Sequence, residues 1–224
     1  MRVISWEEYI GFEVRGSGSG IAVPRPQTPD PRPLAITVGV FDGVHLGHQS
    51  LIRRICEPPA PSSPFPVPCS LFPLPTVVTF RENPMKNLNP AGFTGDIYNL
   101  DQKLGLLESL GVKLTVLIDF SEKFSKINGR DFFDLLLGRQ PVTLLALGEN
   151  FRCGHGRGAG VGEIQGFARA RGVETWVAPP VLDEGQPVSS NRIRQALADG
   201  RFEEAQRMLG RPLDSIPFNK FVPK

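Results

Sequence analysis

Two of the three histidines in this chain, His45 and His48, stand within four residues of each other. They close the run Gly39-Val40-Phe41-Asp42-Gly43-Val44-His45-Leu46-Gly47-His48. An apolar, β-branched stretch precedes the run, which marks it as a passage from strand into helix. Glycines at such a turn let the backbone come close to a phosphate, and a helix start offers unpaired N–H groups and a partial positive charge. Two imidazoles separated by Leu46-Gly47 can both face that phosphate and donate hydrogen bonds as negative charge builds during a transfer. A side chain at position 47 would crowd a nucleotide lying across the turn. A lone histidine is more often a surface or core residue. Two histidines three apart also suit a metal, but no third ligand stands close in sequence.

Two further segments carry chemistry. Val188-Ser189-Ser190-Asn191-Arg192-Ile193-Arg194 joins strong N-cap residues to a helix near Arg192–Leu197. Two hydroxyls, free N–H groups and an arginine one turn in make a pyrophosphate site, although a plain capped helix with solvated arginines reads the same way. Gly148-Glu149-Asn150-Phe151-Arg152-Cys153-Gly154-His155-Gly156-Arg157-Gly158 alternates glycines with basic and polar groups. It suits a loop closing over a nucleotide, and a surface loop without that role would look similar. His155 receives no role.

The elements that must position these residues alternate along the chain. Strands are expected at 34–41, 76–80, 114–120, 142–147 and 175–179, with helices at 46–56, 100–110, 129–137, 164–171 and a closing pair across 191–209. Strands alternating with helices imply an α/β fold with a mainly parallel sheet and helices on both faces. Ligands in such sheets sit at the carboxyl ends of the strands. Residues 15–33 and 57–75 are proline-rich, the latter with eight prolines, and are expected to be inserted loops.

Composition narrows the function classes. The 224 residues are 40% hydrophobic and 21% charged, with a formal net charge of +2. That suits one globular domain spanning 1–224, and the absence of a clustered basic stripe argues against a nucleic-acid partner. Three scattered cysteines without a CxxC spacing read as reduced thiols. The N-terminus is too polar for a signal peptide and no segment is long and apolar enough for a membrane span, so the expected setting is cytoplasmic.

Taken together, these motifs resemble the adenylyltransferase module of bacterial bifunctional riboflavin kinase/FAD synthetases, within the HxGH nucleotidyltransferase superfamily. VGVFDGVHLGHQSLI (38–52) carries most of the likeness. LGENFRCG (147–154), SSNRIRQAL (189–197) and GRFEEAQRMLGRPL (200–213) extend it in the family's order, with weaker matches at LDQKLGLLESLGV (100–112) and MRVISWEE. The resemblance implies a Rossmann-like fold and the reaction of FMN with ATP to give FAD and pyrophosphate, with Mg²⁺ as the metal. It implies that His45 and His48 steady the α-phosphate, while Ser189, Ser190 and Arg194 hold the β- and γ-phosphates. Gly39, Phe41, Asp42, Gly43 and Gly47 would shape the ATP pocket, joined by Gly148, Asn150, Phe151 and Arg152, with Asn150 near Mg²⁺. Where the family has F-x-P-H-P on its flavin side, this chain has Phe80-Arg81-Glu82-Asn83-Pro84. Asn191 replaces the usual Thr and Cys153 a common Phe. The riboflavin kinase half is expected to be absent, which implies a separate source of FMN. The alternatives are a related nucleotidyltransferase with another phosphorylated acceptor, or a catalytically inactive flavin- or nucleotide-binding protein.

Overall fold

The structure, a computed structural model, describes residues 1–11, 30, 32–57 and 72–213. The chain opens with β1 (Arg2–Ser5) and α1 (Trp6–Ile10), followed by β2 (Leu34–Val38) and α2 (Leu46–Cys56). Next come β3 (Leu74–Phe80), α3 (Met85–Leu88), α4 (Leu100–Ser109), β4 (Leu114–Ile118), α5 (Glu122–Ser125) and α6 (Gly129–Leu137). The second half holds β5 (Val142–Gly148), a short hairpin of β6 (Arg152–Cys153) and β7 (Ala159–Gly160), α7 (Val161–Arg169) and β8 (Glu174–Ala178). A second hairpin, β9 (Leu182–Asp183) with β10 (Gln186–Pro187), leads into α8 (Ser190–Ala198) and α9 (Phe202–Leu209).

Six strands form one sheet in the order β1-β4-β3-β2-β5-β8, and every pairing in it is parallel. All five residues of β2 and of β4 are buried, as strands covered on both faces must be. The period-2 alternation splits β2 between the two layers. Leu34, Ile36 and Val38 join the core under α1, α6 and α7, while Ala35 faces the cluster of Leu51, Ile52 and Ile55 from α2. A third apolar cluster ties Ile97 and Tyr98 to α8 and α9 through Ile193, Met208 and Leu209. The α/β expectation of a parallel sheet covered on both faces therefore holds.

From β2 the chain moves outward through β3 to β4, and β5 then returns to the opposite side of β2. The strand order thus reverses between β2 and β5. In open α/β sheets ligands bind beyond the carboxyl ends of the strands at such a reversal. The glycine-rich run after Val38 and the one beginning at Gly148 leave the two strands that flank it.

Some boundaries differ from the sequence expectation. β1 pairs with β4 from Arg2↔Leu114 to Ser5↔Leu117 and forms an unexpected edge strand. The two proline-rich segments fall mostly outside the described residues, but Leu74 and Pro75 belong to β3 and not to a loop. Proline is tolerated near a strand start because it costs the ladder only a donor, and its carbonyl still accepts from Lys113 N–H at 3.0 Å. Within and just past the run 148–158, expected as a loop, Arg152–Cys153 pairs with Ala159–Gly160 as the β6–β7 hairpin.

Candidate active site

The turn after β2 is built under strain. Phe41 and Val44 are fully buried and adopt φ values of +53° and +39°, which are costly for bulky and β-branched side chains. Gly43 between them sits at φ +78°, and a Cβ there would come within 2.8 Å of Ile97 Cδ1. Such a backbone persists only when its surroundings over-determine it. Here the turn's carbonyls are captured by side chains from elsewhere in the chain. Val40 O accepts from Thr79 Oγ1 at 2.9 Å and from Lys103 Nζ at 3.5 Å, and Asp42 O accepts from Ser190 Oγ at 2.8 Å. Gly43 O accepts from Arg211, and Val44 O accepts from both Arg211 and Gln49 at 3.0 Å.

His45 is the N-cap of α2, its Nδ1 accepting from His48 N–H at 3.4 Å. That acceptor role places the His45 proton on Nε2. The two imidazoles stack with ring centroids 3.7 Å apart and an interplanar angle of 18°, and Phe41 lies 5.0 Å from His48. Burial, with the Arg211 charge added, lowers the His45 pKa to about 4. Burial also pulls His48 well below its ordinary value, helped by His45, Lys103 and Arg211. Both rings are therefore neutral at pH 7, and each carries a single N–H to donate. A Cβ at Gly47 would meet the His45 ring at 3.2 Å. Position 47 thus makes room for the imidazole of its own turn.

α8 begins beside this turn. Ser189 is its N-cap, accepting from Arg192 N–H at 3.3 Å, so the helix starts at Ser190, ahead of the expected Arg192, and Asn191 lies inside it. Ser190 reaches back to Asp42 O, and Arg194 pairs with the Asp42 carboxylate while also donating to Asn191 Oδ1 at 2.5 Å. Asp42 Oδ1 also accepts from Ile97 N–H at 2.9 Å. Burial lifts the Asp42 carboxyl, whereas the Ile97 N–H and the Arg194 charge pull it back towards the anion. The structure therefore brings Asp42, His45, His48, Ser190 and Arg194 into one cluster, with Ser189 fixing the helix end.

Lys103 of α4 donates to Phe80 O at 2.7 Å as well as to Val40 O, and so bridges the ends of β2 and β3. Burial lowers its pKa to about 8 against the pull of Asp42 and Asp96. It lines a cleft with Val40, Asp42, Arg81, Asn83 and Asp96. Asn83 is buried there with both ends of its amide engaged: Nδ2 donates to Asp96 at 3.0 Å and Oδ1 accepts from Met85 N–H at 3.1 Å.

The third sequence segment divides. A Cβ at Gly148 would meet nothing within 4 Å, and Asn150 is exposed just past the end of β5. Phe151 packs against the core with its ring 6.4 Å from Phe133, and Arg152 Nε donates to Arg157 O at 3.1 Å. Among the described residues no group of three His, Cys, Asp or Glu could hold a metal. Exposed Asn150 could offer a metal one amide oxygen, so most ligands of such an ion would have to come from elsewhere.

The FAD synthetase family matches residues 27–192, about three-quarters of the chain. The chain belongs to the FAD synthetase family. Similar proteins include the bifunctional riboflavin kinase/FMN adenylyltransferase of Escherichia coli K12, 31% identical over 178 residues that cover 79% of this chain and 54% of that protein. The protein of the same description from Pseudomonas fluorescens is 29% identical over 185 residues, covering 82% and 56%. The chain thus spans about half the length of the curated relatives it matches. A crystal structure described as a macrolide-efflux protein from Streptococcus pneumoniae aligns with a TM-score of 0.71 at 26% identity, covering 95% of this chain and 63% of that one. Among the described residues no helix is long and apolar enough to cross a membrane.

Sequence reasoning did not single out Lys103, Gln49, Thr79 or Arg211. Each reaches at least one backbone carbonyl far away in sequence, for which no local spacing exists. Gln49, Lys103 and Arg211 did lie inside stretches similar to the family, the runs 38–52, 100–112 and 200–213.

Proposed function

We propose that this member of the FAD synthetase family transfers the adenylyl group of ATP to FMN, giving FAD and pyrophosphate. One observation carries the reading: the stacked pair His45–His48 opens α2 beside the switch point and is tied through Asp42 to Ser190 and Arg194 at the start of α8. Two helix starts then converge on one polyphosphate, one for the reacting phosphorus and one for the leaving group. A phosphate oxygen of FMN attacks the α-phosphorus of ATP in line. The bond from that phosphorus to the α,β-bridging oxygen breaks, and pyrophosphate leaves with its electron pair.

His45 Nε2–H and the His48 imidazole donate to the α-phosphate oxygens as charge accumulates on them. Neutral rings can still serve in this role, because a donor aimed at the developing charge is what lowers the barrier. Ser189, Ser190, the first N–H groups of α8 and Arg194 receive the β- and γ-phosphates. Gly39, Phe41, Gly43 and Gly47 shape the turn on which the nucleotide lies. Gly148, Asn150, Phe151 and Arg152 stand on the other flank, with Asn150 the protein ligand offered to Mg²⁺. Mg²⁺ held by Asn150 and the phosphates would neutralise part of the phosphate charge. Positioning and charge stabilisation suffice for such a transfer, and no covalent intermediate is required.

A second reading, a different phosphorylated acceptor, draws on Asn83. Its amide is committed to Asp96 and to Met85 N–H in the cleft that adjoins the turn, at the position where the resembling family has histidine on its flavin side. A panel of phosphate-bearing acceptors tested with ATP and with CTP separates the two. FMN with ATP as the preferred pair supports adenylyl transfer to FMN, and a preference for CTP or for a flavin-free acceptor replaces it.

A further inference from the structure

We infer that Arg211 is a positioning residue for the transfer, holding the strained histidine turn in shape from the segment that follows α9. The activity readout of this inference rests on the function proposed above; the geometry stands without it.

Arg211 lies beyond the residues 27–192 matched by the family, yet its guanidinium fork reaches the centre of the site. One arm donates to Gly43 O, and the other donates to Val44 O at 3.0 Å and to Leu209 O at 3.2 Å. Its Nε meets Tyr98 Oη at 3.2 Å, with the guanidinium carbon 5.0 Å from the Tyr98 ring centre. Gln49 doubles the tie, its Nε2 donating both to Val44 O and, at 2.8 Å, to Leu209 O. The end of α9 and the left-handed Val44 are thus clamped together directly before His45.

Two consequences follow. The first is mechanical. A residue such as Val44 at φ +39° stays in that region only while external contacts outweigh the strain, of order 1–3 kcal/mol per residue. A planar fork with several donors suits two successive carbonyls in a way that a single ammonium does not. The second is electrostatic. Among the described residues Arg211 forms no ion pair with a carboxylate; its acceptors are peptide carbonyls and a phenol. Its charge is left to act on the site, adding to the positive end of α2. Arg211 is the charge that acts on both imidazoles, while Lys103 of α4 and His45 act on His48. Both cations favour the neutral donor form of the rings.

The test compares wild type, Arg211→Met and Arg211→Lys in the full chain. It reads kcat and KM for ATP in FAD formation, the melting temperature, and the imidazole titration of His45 by NMR without substrate. For Arg211→Met, kcat should fall by about tenfold or more, with KM for ATP changed less than about threefold, as a misplaced turn requires. The His45 pKa should rise. Arg211→Lys keeps the charge and loses the fork, so it should retain the depressed His45 titration and recover only part of the turnover. Turnover of Arg211→Met within about twofold of wild type overturns the inference. So does a loss that merely follows the unfolded fraction while His45 titrates as in wild type. If wild type forms no FAD, the proposed reaction fails, and the His45 titration alone decides: unchanged in Arg211→Met it overturns the inference, raised it supports it.

Discussion

Replacing Asp42 by Asn removes the charge at the centre of the site while keeping the shape of the side chain. The Asp42 side chain is 5% exposed and that of Arg194 14%, so the pair is largely out of water. The amide keeps its oxygen for Ile97 N–H but turns an NH₂ group towards Arg194, whose remaining partner is Asn191. Breaking a buried pair by removing one partner costs about 3–5 kcal/mol. The Asn191 contact and the residual exposure of Arg194 place this case near the lower end, about 3 kcal/mol. For a chain of this size each kcal/mol moves the melting temperature by about 2–4 °C, so Asp42→Asn should melt about 6–12 °C lower. Urea unfolding followed by circular dichroism, run also on Arg194→Met and on the double variant, isolates the pair. The double variant should be less destabilised than the sum of the singles by about 2 kcal/mol. A loss below about 1 kcal/mol in Asp42→Asn, or single effects that add within about 0.5 kcal/mol, would refute the coupling of the histidine turn to α8 through this pair.

His48→Ala should leave the fold intact and lower turnover by about 10²–10³, with KM for ATP nearly unchanged, since its donor acts on charge formed during transfer; steady-state kinetics beside a melting curve checks both parts. Gly47→Ala should keep stability within about 1 kcal/mol of wild type, because alanine favours helix, while a Cβ at 3.2 Å from the His45 ring pushes that ring off its place. Its kcat should fall by about tenfold or more in the same assay. Part of the pH dependence of stability follows from His45, with His48 depressed in the same direction. The folded His45 pKa of about 4 lies below an unfolded value of about 6.5. In that window the unfolded chain takes up the proton and the folded chain does not, so stability is lost as pH falls through it, by about 3 kcal/mol from this group. His45→Asn, which keeps an N-cap, should flatten that slope when urea midpoints are compared at both ends of the window.

Much of the fold was legible in the sequence for a physical reason. Strands buried on both faces, such as Leu34–Val38 and Leu114–Ile118, read as short apolar runs, and helices with one wet face read by their period. β1 was not legible. Arg2–Ser5 is an edge strand with two exposed residues, and its partner begins at Leu114, so neither composition nor neighbouring sequence announces the pairing. Pro75 misled in the opposite direction, since a proline at a strand start costs only the donor it lacks.

The candidate site divides along the same line. His45, His48, Ser189 and Ser190 showed in local spacing because a helix start concentrates its caps and its donors within a few residues. The restraints on the strained turn come from Thr79, Lys103, Ser190 and Arg211, which are remote in sequence and reach it through its backbone carbonyls. Gly47 was expected to spare a ligand, and the structure adds a nearer neighbour, the ring of His45. Nothing in the letters L-G-H distinguishes those two uses.

The most direct test of the central claim is product analysis. The protein is incubated with ATP, Mg²⁺ and FMN, with riboflavin as the matched acceptor that lacks a phosphate, and FAD and pyrophosphate are quantified by chromatography and a coupled assay. Adenylyl transfer to FMN predicts the two products in equal amounts from FMN and neither from riboflavin. Folded protein that releases no pyrophosphate with FMN, or releases it without forming FAD, would contradict the account.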